Sequence, residues 1–383
     1  MTARPPLWRD LRVIRAAAQV AALVAVGLLL YVLWFNLTNN LRRLGITTGF
    51  DFLDLPSGVN VADNPISPGA PLRRTLLVGI KNTFALVVVG IPLLTVIGVL
   101  VGVARLSTNW LVAKAAAIYV ETLRNIPPLL VIFFVFFAVI LQLPPPRTPL
   151  VFGGLVVSNL RITVPWVETG PGADLYGWAL VGGLLVAGGV AWWRTRVYER
   201  TGRPHHRVLW AISILGVVAV AGWFLLDGPI RPSLPVVDGQ RVSGGFSGLG
   251  AYYAMLSALV LYTASHVAEI VRGSILAVPK GQTEAALALA LSPFQRLRHV
   301  ILPQAMRIAI PPIISQYLNY TKNTSLGIAV GYAEITLIVF QAIGNGRPAP
   351  QSILLLMGAY LVFSLTISAL VNYLNRRLRY VTN

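Results

Sequence analysis

The sequence predicts an all-α polytopic membrane protein with about eight transmembrane helices. Of the 383 residues, 56% are hydrophobic and only 11% are charged, and the mean hydropathy is +0.71. Soluble domains usually carry about 25% charged residues. The apolar residues also fall in several runs of about 20, which is the length that an α-helix needs to cross the hydrocarbon core of a bilayer.

Eight runs of this kind follow one another along the chain. The first comes after a basic tail and is longer than the apolar region of a signal peptide, so we expect it to be retained as a span. The segment behind it, 39–71, is rich in Gly, Pro, Asn and Asp and is predicted to be an exposed loop. The predicted spans are 16–35, 83–103, 115–141, 174–193, 208–226, 251–270, 308–330 and 353–374.

The formal charge of +18 has two possible explanations, a nucleic-acid partner or a membrane topology signal. Of the 31 basic residues, 19 lie in the two chain ends and in the loops on the same side of the membrane as those ends. The positive-inside rule explains this bias, so we predict a cytoplasmic N-terminus, a cytoplasmic C-terminus and no nucleic-acid partner. The sequence has no cysteine, which excludes disulfides, thiol catalysis and Cys-based metal sites.

The fourth and fifth spans resemble an inserted helical hairpin, because their surroundings are rich in Pro and Gly and carry little intramembrane charge. Four regions follow from this interpretation. Residues 1–70 form a cytoplasmic tail, an extra span and an external loop, and 71–143 form the first part of the membrane core. Residues 144–249 form the inserted hairpin with flanking loops, and 250–383 form the second part of the core with a polar connecting loop at 280–303.

The connecting loop contains the stretch EAALALALSPFQRLRHVILPQA, which starts at Glu284. Strong helix formers occupy 284–289. Ser292, followed by proline and with Gln295 three residues later, has the pattern of a capping box at a second helix start. The two short helices should meet near Ala290, and Pro303 should end the second helix or begin the next. On the residues alone, an ordinary structured loop explains this pattern equally well.

The same stretch resembles the EAA signature of ABC importer permeases, which reads E-A-A, three residues, G, nine residues and I-x-L-P. The chain departs from the signature in having Ala290 in place of Gly and Val300 in place of Ile. In that family the loop forms a coupling helix that docks in a groove on a cytoplasmic ATPase. The residues to which the resemblance assigns ATPase coupling are Glu284, Ala285, Ala286, Ala290, Ser292, Leu302 and Pro303.

Four further segments resemble the polar-amino-acid branch of these permeases. They read GIKNTFALVVVGIPLLTVIGVLVGVARLS, YVETLRNIPPLLVIFF, ASHVAEIVRGSILAVPKGQTEAA and YTKNTSLGIAVGYAEI. The similarity covers about half of the chain. The extra first span and the long insertion resemble the larger permease of the general L-amino-acid and glutamate/glutamine/aspartate importers. The resemblance therefore implies a type I ABC importer permease core.

As a member of that family, the chain would be a permease subunit of an ATP-driven amino-acid importer in a bacterial inner membrane. The implied partners are a second permease subunit, two copies of a cytoplasmic ABC ATPase, a periplasmic amino-acid-binding protein, the amino-acid substrate and membrane lipid. None of the four lysines follows a glycine, so the chain has no Gly-Lys-Ser/Thr phosphate loop. We therefore expect ATP and Mg²⁺ to bind to the partner ATPase, with no cofactor and no metal on this chain.

Ionisable residues inside the spans are costly unless they are paired or face water, so they are candidates for the translocation path. Glu121 with Arg124, and Glu269 with Arg272, are spaced for acid–base pairs on one helix face, and a structural salt bridge is the favoured interpretation of each pair. Residues 322–325 are favoured as path-lining residues. In a regular helix Lys322 and Ser325 would share the cavity-facing side. The full set of path candidates is Lys322, Asn323, Thr324, Ser325, Glu121, Arg124, Asn125 and Glu269.

Three other functions stay open at this point: a permease for another small polar solute, a stand-alone channel and a membrane-embedded enzyme. A channel does not need an EAA-type loop. An enzyme needs a clustered nucleophile, base or metal set, and the sequence has no HExxH and no GxSxG motif. The sequence therefore favours a transport subunit that is not an enzyme.

Overall fold

The computed structural model describes residues 10–43, 45, 49–62, 66–201, 206–238 and 241–378. Within these residues the chain is mostly helical, which confirms the predicted class. The helices are α1 (Leu11–Arg43), α2 (Leu72–Ala104), α3 (Trp110–Asn125), α4 (Pro128–Phe133), α5 (Ala173–Thr201), α6 (Arg207–Leu225), α7 (Gly250–Leu276), α8 (Lys280–Ala288), α9 (Pro293–Arg296), α10 (Leu302–Asn323), α11 (Ile335–Gly344) and α12 (Ala349–Leu378).

The predicted spans correspond to six long apolar helices, α1, α2, α5, α6, α7 and α12, and to two bent helix pairs. Counting each bent pair as one span gives up to eight spans in the described part of the chain. The first bent pair is the predicted third span, in which α3 and the helix that runs from Pro128 to Ile140 make an angle of 110°. Ile126 is extended, with φ −103° and ψ 134°, because a residue that precedes proline disfavours the helical region.

The second bent pair is the predicted seventh span, which bends by 47° before α11. The α-helix stops at Asn323, and Thr324–Val330 continue as a 3₁₀-helix up to Gly331, whose φ is +69°. The hydroxyl of Thr324 donates to the Thr321 carbonyl at 2.7 Å, a side-chain bond that competes with regular helix hydrogen bonding. The regular α-helix of this span is therefore interrupted between Asn323 and Gly331.

Side chains of α2 satisfy the backbone groups that this break exposes. The Asn82 amide donates to the Ala333 carbonyl at 2.8 Å, and the Thr83 hydroxyl accepts the Ile335 amide hydrogen at 3.3 Å. Because non-helical backbone at membrane depth needs protein partners, these two polar side chains stabilise the broken span. A Cβ added to Gly79 would lie 2.8 Å from the Ile335 Cα, so the glycine lets α2 approach the start of α11.

The region 144–249 also contains strands, where the sequence predicts only loops that flank the hairpin. The strands are β1 (Leu150–Phe152), β2 (Leu155–Val157), β3 (Arg161–Val164), β4 (Trp166–Thr169), β5 (Ile230–Ser233), β6 (Val236–Asp238), β7 (Arg241–Ser243) and β8 (Phe246–Leu249). They form an antiparallel sheet in the order β1-β2-β3-β8 and two separate pairs, β4-β5 and β6-β7. Each strand has only three or four residues, too few for an alternating pattern to stand out.

The helices α5 and α6 pack against each other as the helical hairpin that the sequence predicts. That this hairpin is an insertion stays a prediction. The Tyr176 hydroxyl donates to the Ala219 carbonyl at 3.0 Å. A Cβ added to Gly183 would lie 3.1 Å from Val218, so the two helices pack closely there. The division of the chain into four regions, with boundaries after residues 70, 143 and 249, stays a prediction.

By its contacts the chain divides into two compact units. The first comprises the residues up to Val87, Tyr317–Ile328 and the residues from Ala333 onward, and the second comprises Val88–Gln316 and Ala329–Tyr332. In the first unit the segment 49–62 is largely exposed, as its composition predicts, but it is anchored by a few buried side chains. Its side chains at 52, 59 and 61 are buried in an apolar core with residues of α2 and α11.

Hydrogen bonds also tie this N-terminal segment to the first unit. The Asn345 amide donates to the Ser57 carbonyl at 3.4 Å, and the Arg347 guanidinium donates to the Pro56 carbonyl. The Gly- and Pro-rich composition correctly predicts an irregular backbone, but it does not predict that a few apolar side chains anchor the segment. The expectation of an exposed loop is therefore wrong only for the buried positions 52, 57, 59 and 61 of this segment.

In the second unit α2 packs against α7 through Gly98 and Gly102, which form a GxxxG pattern. A Cβ on Gly98 would lie 2.6 Å from the Val267 Cγ1, and a Cβ on Gly102 would lie 2.7 Å from the Ala268 carbonyl oxygen. Small residues at such spacing let the backbones of membrane helices approach closely. This close approach brings the ends of α2 and α7 together.

We expect Gly102→Ala to destabilise the protein, because the added methyl group overlaps a backbone oxygen that cannot move alone. Overpacking of this kind costs about 1–3 kcal/mol. The matched control is Gly273→Ala on α7, where an added Cβ meets nothing within 4 Å. The apparent melting temperature of the detergent-purified protein should fall for Gly102→Ala only. Equal melting temperatures for both variants would contradict the close packing.

Candidate functional site

The connecting loop folds into the two short helices that the sequence predicts. In α9 the Ser292 hydroxyl accepts the Gln295 amide hydrogen at 3.3 Å, and the Gln295 side chain accepts the Ser292 amide hydrogen at 2.9 Å. The capping box is therefore confirmed. Pro303 is the second residue of α10, so it begins the next helix, and a π-helical turn at Leu297–Ile301 precedes it.

The bend between the two helices lies at Ala290, where the EAA signature has glycine. Ala290 has φ +54°, in the left-handed region that a Cβ disfavours. The Leu291 amide donates to the Ala286 carbonyl at 3.1 Å, and the Ala290 amide donates to the Leu287 carbonyl at 2.9 Å. These two bonds form the helix C-cap that usually contains glycine. The sharp bend is thus present although the glycine is not.

The loop is held to α10 but leaves apolar side chains uncovered. The Gln304 side chain donates to the Gln282 side chain at 3.0 Å, which joins the start of α10 to α8. Glu284 is exposed. Leu289 and Phe294 are 74% and 66% exposed in the described structure. A fixed backbone with exposed apolar side chains and one carboxylate is suited to binding another protein surface.

A cluster of charged side chains also lies in the second unit, with Glu269 at its centre. Arg105 donates to the Glu269 carboxylate, Arg272 donates to it at 2.5 Å and 3.3 Å, and the Arg124 guanidinium lies 3.8 Å away. Arg105 also lies 3.7 Å from Glu121. One carboxylate therefore joins arginines from α3, from α7 and from the residue that follows α2.

The spacing argument predicted half of this arrangement. Glu269 pairs with Arg272 as expected, whereas Glu121 pairs with Arg105 and Arg124 lies against Glu269. The difference arises because the GxxxG packing brings Arg105 to α7, where no spacing along the sequence could place it. Arg105 lies just outside the predicted span 83–103, and it is the member that sequence reasoning missed.

The side chains at the centre of the cluster are largely buried, whereas those at its edge, or rim, are exposed. The side chains of Arg105 and Glu269 are 13% and 24% exposed, whereas that of Glu121 is 70% exposed. The Asn125 side chain donates to the Glu121 carbonyl at 2.8 Å. With three guanidinium groups and two carboxylates, the cluster can offer both a cation and an anion to a passing solute at its rim.

The predicted path residues 322–325 lie in the first unit and differ in exposure. Lys322 is exposed, Asn323 and Ser325 are half-buried, and Thr324 is fully buried. The Ser325 hydroxyl donates to the Lys322 carbonyl at 2.8 Å. None of the ion pairs found among the described residues involves Lys322. Their role in the path stays a prediction.

Thr324 belongs to a buried polar network that sequence reasoning missed, with Glu334 at its centre. Glu334 is fully buried, and its carboxylate accepts the Leu337 amide hydrogen at 2.9 Å and the Tyr360 hydroxyl hydrogen at 3.0 Å. The Tyr360 oxygen lies 3.1 Å from the Thr336 hydroxyl and 3.4 Å from that of Thr324. Glu334 is the N-cap of α11. An acidic residue immediately before an apolar helix was the signal that could have identified it.

The sequence comparison decides the family. The model of the family described as "binding-protein-dependent transport system inner membrane component" matches residues 94–380. The chain belongs to this family. It is therefore a multi-pass inner-membrane permease subunit and not an enzyme, as the sequence predicts.

Two relatives match nearly the whole chain. The general L-amino acid transport system permease protein AapQ of Rhizobium johnstonii is 37% identical over 364 residues, which is 94% of this chain and 91% of the relative. The glutamate/glutamine/aspartate/asparagine transport system permease protein BztB of Rhodobacter capsulatus is 35% identical over 377 residues. The match covers 89% of this chain and 88% of the relative. A solved structure of an amino acid ABC transporter with histidines is 17% identical, with TM-score 0.47, over 80% of this chain and 94% of that one.

We expect Ala290→Gly to keep transport at or above the wild-type level, because glycine adopts the left-handed conformation without strain. Ala290→Val should lower transport at least several-fold, because a β-branched residue is a poor fit to φ +54°. The measurement is solute uptake by the reconstituted transporter. Uptake that is equally low in both variants, or unchanged in both, would contradict a role for this bend.

Proposed function

We propose that this permease subunit forms part of the translocation path of an ATP-driven amino-acid importer and is coupled to a separate ATPase through residues 284–303. The observation that carries the proposal is the hydrogen-bonded bend at Ala290, which is flanked by the exposed apolar side chains of Leu289 and Phe294. Relatives that match nearly the whole chain carry amino-acid transport in their names, which supports the substrate class.

The loop has the chemistry of a docking element. Leu287, Leu289 and Phe294 are exposed on a backbone whose turn, capping box and link to α10 are all hydrogen-bonded. Burying such side chains against a partner is favourable, by about 25 cal/mol per Å² of apolar area. Glu284 adds a carboxylate for which a basic group on the ATPase is the complement.

The assembly that we propose contains a second permease subunit, two copies of the ATPase and a periplasmic amino-acid-binding protein. ATP and Mg²⁺ bind to the ATPase, since this sequence has no phosphate loop. The bias of basic residues supports cytoplasmic chain ends and a cytoplasmic 284–303 loop.

The path must accept a carboxylate and an ammonium group and then release both. Lys322, exposed on its helix, suits the carboxylate, as does Arg124 at the rim of the charged cluster. Glu121, 70% exposed, suits the ammonium group. These side chains retain solvent contact, so each binding step stays weak enough for transport to continue.

We expect Glu284→Lys to uncouple transport from ATP hydrolysis, because it reverses the charge at the proposed interface. Uptake should fall at least tenfold, while expression and thermal stability stay unchanged since Glu284 is exposed. Glu199→Lys, an equal charge change at another exposed helical position, is the control and should transport normally. Normal uptake by Glu284→Lys would contradict the coupling role.

We expect Lys322→Met to weaken amino-acid uptake several-fold while the complex still assembles, because the substitution keeps length and removes the charge. Asn323→Ala, one residue further along the same helix, is the matched control. A panel of labelled amino acids and unrelated polar solutes would test the substrate class in the same assay. Normal uptake by Lys322→Met together with loss in Asn323→Ala would show that the opposite helix face lines the path.

A further inference from the structure

The end of the α5–α6 hairpin concentrates positive charge. Residues 194–207 contain five arginines, and Glu199 is the one acidic residue in this range of the sequence. The helices that lead to this end have apolar and largely uncovered surfaces. None of the residues of α6 is buried, and Leu209 and Ile212 are 63% and 61% exposed. In a membrane these surfaces lie against lipid chains.

Indole rings position the arginines at this end. The Arg194 guanidinium carbon lies 5.4 Å from the centroid of the Trp210 ring, and that of Arg196 lies 4.0 Å from the centroid of Trp192. Each helix thus contributes a tryptophan to a cation–π contact. A guanidinium that stacks on a ring keeps its edge N–H groups free to bind two oxygens of an oxyanion such as phosphate. Tryptophan side chains also prefer the level of the lipid headgroups.

The two helices are joined by a polar contact at the same level. The Arg207 guanidinium donates to the Thr195 hydroxyl at 3.5 Å, between the two indole-bound arginines along the hairpin. Arg196 and Arg207 are both exposed. The result is a basic, hydroxyl-containing surface that continues directly into apolar helix faces.

We propose that the α5–α6 end binds the phosphate headgroup of an anionic phospholipid, with its acyl chains along the exposed face of α6. Basic clusters next to membrane helices attract anionic headgroups. A soluble anion would meet the same arginines but would gain nothing from the apolar faces. The membrane topology signal needs only positive charge, and it does not account for the stacked indole rings.

The test uses the full chain in its transporter complex, purified in detergent and titrated with dioleoyl phosphatidylglycerol or dioleoyl phosphatidylcholine, with binding measured by native mass spectrometry. The wild type should prefer phosphatidylglycerol. Arg196→Gln/Arg207→Gln should weaken that binding on the order of tenfold. The control is Arg42→Gln/Arg43→Gln, an equal charge change at the end of the lipid-exposed α1, which should leave binding unchanged.

A second variant distinguishes a specific lipid-binding site from nonspecific attraction of anionic lipid by positive charge. Trp192→Leu keeps every charge and removes the ring under Arg196, so it should weaken phosphatidylglycerol binding about threefold or more. If the double arginine variant does not assemble, phosphatidylglycerol binding by Trp192→Leu alone tests the site. Unchanged binding in Trp192→Leu, or equal weakening in both arginine pairs, would overturn the proposal.

Discussion

The pairing of charge around Glu269 is the constraint on which the second unit depends. An ionisable side chain on a membrane helix has to be neutralised or hydrated, and here one carboxylate meets three arginines. Those arginines come from α3, α7 and the residue after α2, so the pairing fixes the ends of three helices at one point. The GxxxG approach of α2 to α7 makes the arrangement possible, because a larger residue at Gly102 would keep Arg105 away from the carboxylate.

Helix α7, which carries the centre of the cluster, leads along the chain into the connecting loop. Helix α7 ends at Leu276 and α8 begins at Lys280, so only three residues separate the helix that carries Glu269 from the first helix of the loop. The loop is rigid, since its bend, its capping box and its link to α10 are all hydrogen-bonded. If the proposed ATPase moves the loop, α7 is the helix through which that movement would reach the paired charges at the ends of α2 and α3.

Local chemistry could be predicted from the sequence, and long-range contacts could not. The spans, the capping box at Ser292 and the Glu269–Arg272 pair follow from spacing over a few residues, and each is present. Sequence reasoning missed the Arg105 contacts and the Glu334 network because their partners lie on other helices. It misjudged the buried positions within 49–62 because a few buried apolar side chains outweigh a polar composition, and it missed the strands because each is too short for a periodic pattern.

The most direct test is the amount of amino acid transported per ATP hydrolysed by the reconstituted importer that carries Glu269→Gln. Glutamine keeps the shape of the side chain but leaves three guanidinium groups with the single carboxylate of Glu121. If the charged cluster transmits loop movement to the membrane helices, transport per ATP should fall at least tenfold while the complex still assembles and hydrolyses ATP. An unchanged ratio of transport to hydrolysis, equal to that of the exposed control Glu199→Gln, would contradict this role.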